Sequence, residues 1–169
     1  MKLKTSIWII VLTALLALTS VSTVALYSLR VQLLNEREGQ IHTLLKMAIN
    51  LADYYQGQVQ SGKMSLEEAQ AQAKIAIGKF RDKNDYFFVR SREHAILVHP
   101  TMKIGEINLG ATQSDGRKLS QVYDDVLAVS KDKRGIVRIM TPRPGEKAES
   151  PKLQGISLYE PWGWKIGIG

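Results

Sequence analysis

With 169 residues, 44% of them hydrophobic and 23% charged, the chain is long enough for one domain with its own core and too apolar for a disordered tail. It has no cysteine, which excludes a disulfide scaffold, a thiolate zinc site and a cysteine nucleophile. The net charge is +7, and setting aside the leading Lys2 and Lys4 leaves 21 basic against 16 acidic groups, a surplus of +5 that suits anionic ligands or a membrane surface and is too diffuse to argue for nucleic acid.

Thr5 to Leu29 carries no charge, and an apolar run begins at Ile7. A helix needs roughly 20 apolar residues to cross a bilayer, so Ile7 to Leu29 suffices. Trp8 and Tyr27 stand near its ends, where amphipathic rings favour the interface, and Lys2 and Lys4 orient the N-terminus to the cytoplasm. A cleaved signal peptide is the rival reading, with Ser20-Val21-Ser22 as a small-x-small site. The apolar pattern continues past that site through Val24, Ala25, Leu26 and Leu29, which a secretion signal does not need. The expectation is a cytoplasmic start and uncleaved anchor over residues 1–29, then an exported domain over residues 30–169.

Leu34, Ile41, Leu45, Ala48, Ala52 and Tyr55 recur at spacings of three, four and seven, which predicts one apolar stripe on a helix. No proline separates this stripe from the apolar run, so anchor and outer helix are expected to be continuous. Gln56 to Met64 reads as a turn. Ser65-Leu66-Glu67-Glu68 has the pattern of a capping box, opening a second helix whose buried face is Ala69, Ala73, Ala76, Ile77 and Phe80. From Asn84 the period changes. Asp85 to Arg90 and Ala95 to His99 are dense in β-branched and aromatic residues around a polar turn, which predicts a hairpin ended by Pro100. Lys103 to Gly116 reads as loop and Leu119 to Leu127 as a short amphipathic helix. Ile136 to Met140, Lys152 to Tyr159 and Trp162 to Ile168 are the remaining strands. Helices followed by strands predict an α+β fold with an antiparallel sheet.

Motifs for catalysis are missing. There is no Gly-rich phosphate loop, G-x-S-x-G or H-E-x-x-H, and Asp124-Asp125 are helix neighbours that diverge. His42 falls on a polar helix face and His94 in a turn, so the histidines do not converge on a metal. No enzymatic role, metal or cofactor is expected. The remaining candidates are polar groups on apolar strands. His99 reads either as a strand-edge residue capping the backbone or as a donor to an anionic ligand. Lys152 after Pro151, and Arg143 between Pro142 and Pro144, read either as solvated surface cations or as a pair for a carboxylate, Arg as a fork and Lys as a point charge. Tyr86 and Phe88 share a strand face, and Trp162 and Trp164 share another; both pairs are first of all packing, with only polar tips to offer a ligand.

Asp85-Tyr-Phe-Phe-Val, Ile96-Leu-Val-His99-Pro100, Asp115-Gly116, Pro142-Arg-Pro-Gly145, Pro151-Lys152 and Glu160-Pro-Trp-Gly-Trp164-Lys-Ile-Gly-Ile-Gly169 stand in the order and spacing of a known family. From about Arg30 to Gly169 the chain resembles the single Cache (type 2) domain, the extracytoplasmic sensor of bacterial methyl-accepting chemotaxis proteins. The resemblance implies a long N-terminal helix packed on a PAS-like antiparallel sheet, and a pocket for a small organic acid of the C2–C4 carboxylate class. Its pocket positions fall on Tyr86, Phe88, His99, Arg143 and Lys152, with Trp164 as a further wall. It also implies a periplasmic location at the inner membrane, a second span beyond residue 169, a cytoplasmic signalling region, and a homodimer through the stripe of the long helix. Nucleic acid is not an expected partner. A rival reading makes this outer domain the sensor of a histidine kinase or a nucleotide (diguanylate) cyclase, and an exported structural module without a ligand is the reading from another class; an exported hydrolase ranks third. The family often has Tyr and Trp where Ile139 and Thr141 stand here, and Tyr where this chain has Gly155, so an enlarged pocket or a different acid is expected.

Overall fold

The computed structural model describes residues 3–82, 85–142 and 148–169. The chain divides into two compact units, Met1–Gly39 and Gln40–Gly169. One helix, α1 (Leu3–Gln60), supplies all the regular structure of the first unit. There its large apolar side chains are exposed, Trp8 and Tyr27 among them, and it is long and apolar enough to cross a membrane. Thr13, Thr19, Ser20 and Thr23 each donate to a carbonyl one turn back, so these four hydroxyls are satisfied within the helix.

The second unit holds the rest of α1, then α2 (Leu66–Lys79), β1 (Arg81–Asp82), β2 (Asp85–Arg90), β3 (Ile96–Val98), α3 (Leu119–Val129), β4 (Arg134–Pro142), β5 (Glu149–Tyr159) and β6 (Trp164–Ile168). The strands form an antiparallel sheet in the order β1-β2-β6-β5-β4, with β3 paired to β2 as the predicted hairpin. Ser65 caps α2 as its sequence foretells: its hydroxyl accepts from the Glu68 amide, and the Glu68 carboxylate accepts from the Ser65 amide at 3.0 Å.

The two sheet faces carry two separate cores. Ile41, Leu45, Ala48 and Ala52 of α1, with Ala73 and Ile77 of α2, pack on Phe87, Val89, Trp164, Ile166 and Ile168. Leu119, Tyr123 and Leu127 of α3 pack on Phe88, Val137, Ile139 and Ile156. Strand alternation sorts them, since neighbouring residues of β2 such as Phe87 and Phe88 must face opposite ways.

Three expectations are corrected here. The helix does not end near Tyr55 but runs to Gln60, despite Gly57. Gln56 accepts from the Trp162 indole at 2.6 Å, a tertiary bond that offsets the helix penalty of a glycine. The final strand does not begin at Trp162, which lies in a 3-10 turn, Glu160–Trp162, closed by Gly163 at φ 64°. Thirdly, the stripe assigned to a dimer is used within the chain: Ile41, Leu45, Ala48 and Ala52 are fully buried against its own sheet and present nothing to a second copy.

Candidate functional site

On the α3 side of the sheet, polar groups gather among aromatic rings. Tyr86, Phe88 and Arg90 alternate with Phe87 and Val89 along β2 and so share this face. His99, just past β3, comes beside them: its ring centroid is 5.1 Å from that of Tyr86 and 6.5 Å from that of Phe88. Lys152 of β5 reaches the same place, with Nζ 5.2 Å from the Tyr86 ring centroid and closed off from solvent. From the other side Tyr123 of α3 stacks on Phe88 at 6.0 Å and its hydroxyl donates to Gln154 of β5 at 2.5 Å.

Arg90 is the group that sequence reasoning missed. Only 3% of it is exposed, and its guanidinium lies 5.8 Å from both the Phe88 and Tyr123 rings. One terminal nitrogen donates to the Asn108 carbonyl, while Nε is buried with no hydrogen-bond partner among the described residues. Burial pulls its pKa below the ordinary arginine value. It stays charged nonetheless, because arginine starts so far above neutrality. A buried guanidinium with an unused donor is costly in a resting fold and is what an anion would complete. The signal was present in the sequence: Arg90 shares the period-two face of Tyr86 and Phe88 on an otherwise apolar strand.

His99 is held as a neutral ring. Its Nδ1 accepts from the amides of Thr101 at 3.1 Å and Met102 at 3.0 Å, so the proton of the neutral ring belongs on Nε2. Burial first, then the positive charges of Arg90 and Lys152, push its pKa down to about 4. Of the two readings of this residue the backbone-capping one is seen, with amides rather than a carbonyl as its partners. One nitrogen orders the turn after β3, and the other carries the proton of the neutral ring.

The structure thus brings together Tyr86, Phe88, His99 and Lys152, and adds Arg90, Tyr123 and Gln154. It does not bring Trp164. That indole pairs with Tyr159 in the β5–β6 ladder and packs in the core under α1, on the opposite face. Arg143 lies outside the described residues. Gly155 also faces α1, where an added Cβ would overlap Ile41 and Leu45. A tyrosine missing from that position therefore leaves no extra room at the site, which corrects the expected enlargement there. Ile139, by contrast, does belong to the α3-side core.

The fold is thus a helix-backed antiparallel sheet with buried polar groups on its other face. The single Cache domain 2 family matches residues 33–169, and the chain belongs to it. The chain is similar to the methyl-accepting chemotaxis protein McpP of Pseudomonas putida, 28% identical over 173 residues, a match that takes in 100% of this chain and 31% of that protein. The chain thus spans about a third of the curated relative's length. Among solved structures it is similar to a periplasmic sensor domain of a chemotaxis protein, at 29% identity and TM-score 0.72, over 80% of this chain and 95% of that one. A Cache chemosensory domain solved for its carboxylic acid recognition matches at 28% identity and TM-score 0.72, over 82% of this chain and 95% of that one. A methyl-accepting chemotaxis protein of Vibrio parahaemolyticus shares the fold at 17% identity and TM-score 0.64, over 82% of this chain and 90% of that one.

Proposed function

We propose that this chain is the ligand-sensing part of a chemoreceptor and that it binds the carboxylate of a small organic acid, of the C2–C4 class. The observation that carries the reading is the buried Arg90, with its unpartnered Nε, beside a neutral His99 and the enclosed ammonium of Lys152. A carboxylate accepts a guanidinium fork and a neutral imidazole N–H at once, and takes charge balance from the lysine. Tyr86, Phe88 and Tyr123 supply the walls for a short apolar tail, and Arg143 is a further cation for the same anion. The likeness to a carboxylic-acid-recognising Cache domain supports the ligand class, and the likeness to McpP supports the receptor role.

In this reading residues 7–29 cross the inner membrane and residues 30–169 lie in the periplasm, ahead of a second span and a cytoplasmic signalling region. The receptor works as a homodimer, its contact lying elsewhere than the buried stripe of α1. The output is a population shift: an acid that binds one arrangement of sheet and helices better biases the receptor by no more than its differential affinity.

A thermal-shift screen of the chain against C2–C4 mono- and dicarboxylates tests this directly. At least one acid should raise the melting temperature progressively with concentration. Calorimetry with that acid should then show binding lost in Lys152→Ala while the fold persists. A flat screen refutes the ligand class, and unchanged affinity removes Lys152 from the site.

A further inference from the structure

Beside the candidate site lies a polar knot that the proposed ligand does not touch. Lys165 of β6, its side chain only 7% exposed, donates to Asp124 of α3 at 2.5 Å and to the Arg92 carbonyl at 2.9 Å. His94 places Nε2 2.9 Å from the second Asp124 oxygen and 3.1 Å from Lys165 Nζ. As a donor that nitrogen serves the carboxylate, and as an acceptor it serves the ammonium, so the ring fits either way.

The knot is adjacent to the site on both partners. On the sheet, Lys165 is the direct cross-strand neighbour of Arg90. On the helix, Asp124 follows Tyr123, whose ring lies against Phe88 and Arg90. Two polar ties join α3 to the sheet, Asp124 to Lys165 and, one residue earlier, the Tyr123 hydroxyl to Gln154, while Leu119 and Leu127 add apolar packing. Apolar packing lets a helix shift by fractions of a turn, whereas an ion pair to a buried ammonium fixes its rotation and register. The knot also secures the loop behind Arg90. The His94 carbonyl accepts from the Asn108 amide at 3.1 Å, and the Asn108 carbonyl in turn accepts from the Arg90 guanidinium.

We propose that Asp124 is a positioning residue for the ligand site: its grip on Lys165 and His94 latches α3 so that Tyr123 closes against Phe88 and Arg90, and latch closure and acid binding form one coupled equilibrium. The coupling rests on the carboxylate reading of the site; the latch itself does not. Half of the Asp124 side chain, 47%, remains solvent-exposed, so the bond sits at the rim where it can open without unfolding the core. Positive coupling follows, because an anion on Arg90 that also packs on Tyr123 favours the closed helix, and the closed helix favours the anion.

The test uses the full chain in detergent micelles, as wild type, Asp124→Asn and Asp124→Glu, with acetate, propionate and succinate as probes. For whichever acid binds wild type most tightly, Asp124→Asn should weaken binding at least about tenfold, in the range usual for coupled sites. Asp124→Glu should recover most of that loss, which a role confined to folding would not produce. Hydrogen exchange supplies the second readout. In Asp124→Asn without acid, amides of α3 should exchange faster while those of β5 and β6 keep wild-type protection. Equal affinity in Asp124→Asn overturns the coupling, and unchanged α3 exchange overturns the latch. If no probe binds wild type, the carboxylate reading and the coupling built on it both fall, and the exchange result alone decides whether Asp124 holds α3.

Discussion

Gly167 stands directly across from Phe88 in the β2–β6 ladder, and the Phe88 ring lies over the space that a Cβ on Gly167 would occupy. The glycine is what lets this ring lie flat on the sheet, under Tyr123 and beside His99. Gly167→Ala should therefore push Phe88 towards both. Overpacking of this kind costs about 1–3 kcal/mol of stability. Affinity for the acid should fall as well, because the displaced ring enters the ligand's space. Chemical denaturation and calorimetry on the same preparation check both, and a variant with wild-type affinity would mean that Phe88 is not a wall of the site.

Arg90 offers the opposite balance. Its charge is buried with an unused donor, so the resting fold gains little from it. Arg90→Met keeps the apolar stem and removes the charge; stability should hold or rise, as when buried ions give way to packed apolar groups. Binding of the acid should weaken by about 2–5 kcal/mol, roughly thirtyfold or more, as for other buried charge contacts across an interface. Loss of binding together with a large loss of stability would instead assign Arg90 a structural task.

Most of the architecture was legible in the sequence because its signals are local. The stripe from Ile41 to Ala52, the Ser65–Glu68 box and the hairpin around Ser91 to His94 each follow from spacing within a few residues. The site was legible only where a residue type is unusual in its place, as with His99 and Lys152. What escaped depended on partners distant in the chain. Arg90 ends a strand, where a charge is ordinarily solvated, and is buried among Phe88, Tyr123 and the Asn108 loop. His94 reads as a turn residue, yet its ring, on a backbone with φ of 65°, meets Lys165 and Asp124. The face of Trp164 could not be counted from Tyr159, because the 3-10 turn between them interrupts the strand alternation.

That difference of faces can be tested. Trp164 and Gly155 both belong to the core under α1, not to the side that bears Arg90. Trp164→Phe leaves a void there and should cost roughly 1–3 kcal/mol. Gly155→Ala forces Ile41 and Leu45 apart from β5 and should cost about as much by overpacking. Neither should change the affinity of the folded protein for the acid. A selective loss of affinity in Trp164→Phe, at unchanged stability, would return the indole to the site as the sequence first suggested.

The last prediction concerns protons. His99 has its pKa pushed down to about 4 by burial and by Arg90 and Lys152, whereas the unfolded chain titrates it near the ordinary histidine value of about 6.5. Between those values the unfolded state binds a proton that the folded state refuses. Stability should therefore fall as pH drops through the window from about 6.5 to 4, and this contribution should level off below it. Burial and Lys165 lower the pKa of His94 as well, so the wild-type slope contains both histidines. His99→Gln removes one of them, and melting temperatures across the window should fall less steeply in that variant. A bound carboxylate acts in the reverse sense. It faces Nε2 with a negative charge, favours the imidazolium and raises the pKa, so the ring should titrate higher when the acid is present. Following the His99 Cε1–H resonance with pH, with and without the acid, reads both effects on one residue. A ring that titrates near 6.5 without the acid would show that neither burial nor the charges of Arg90 and Lys152 act on it. A ring unmoved by the acid would show that the anion binds elsewhere.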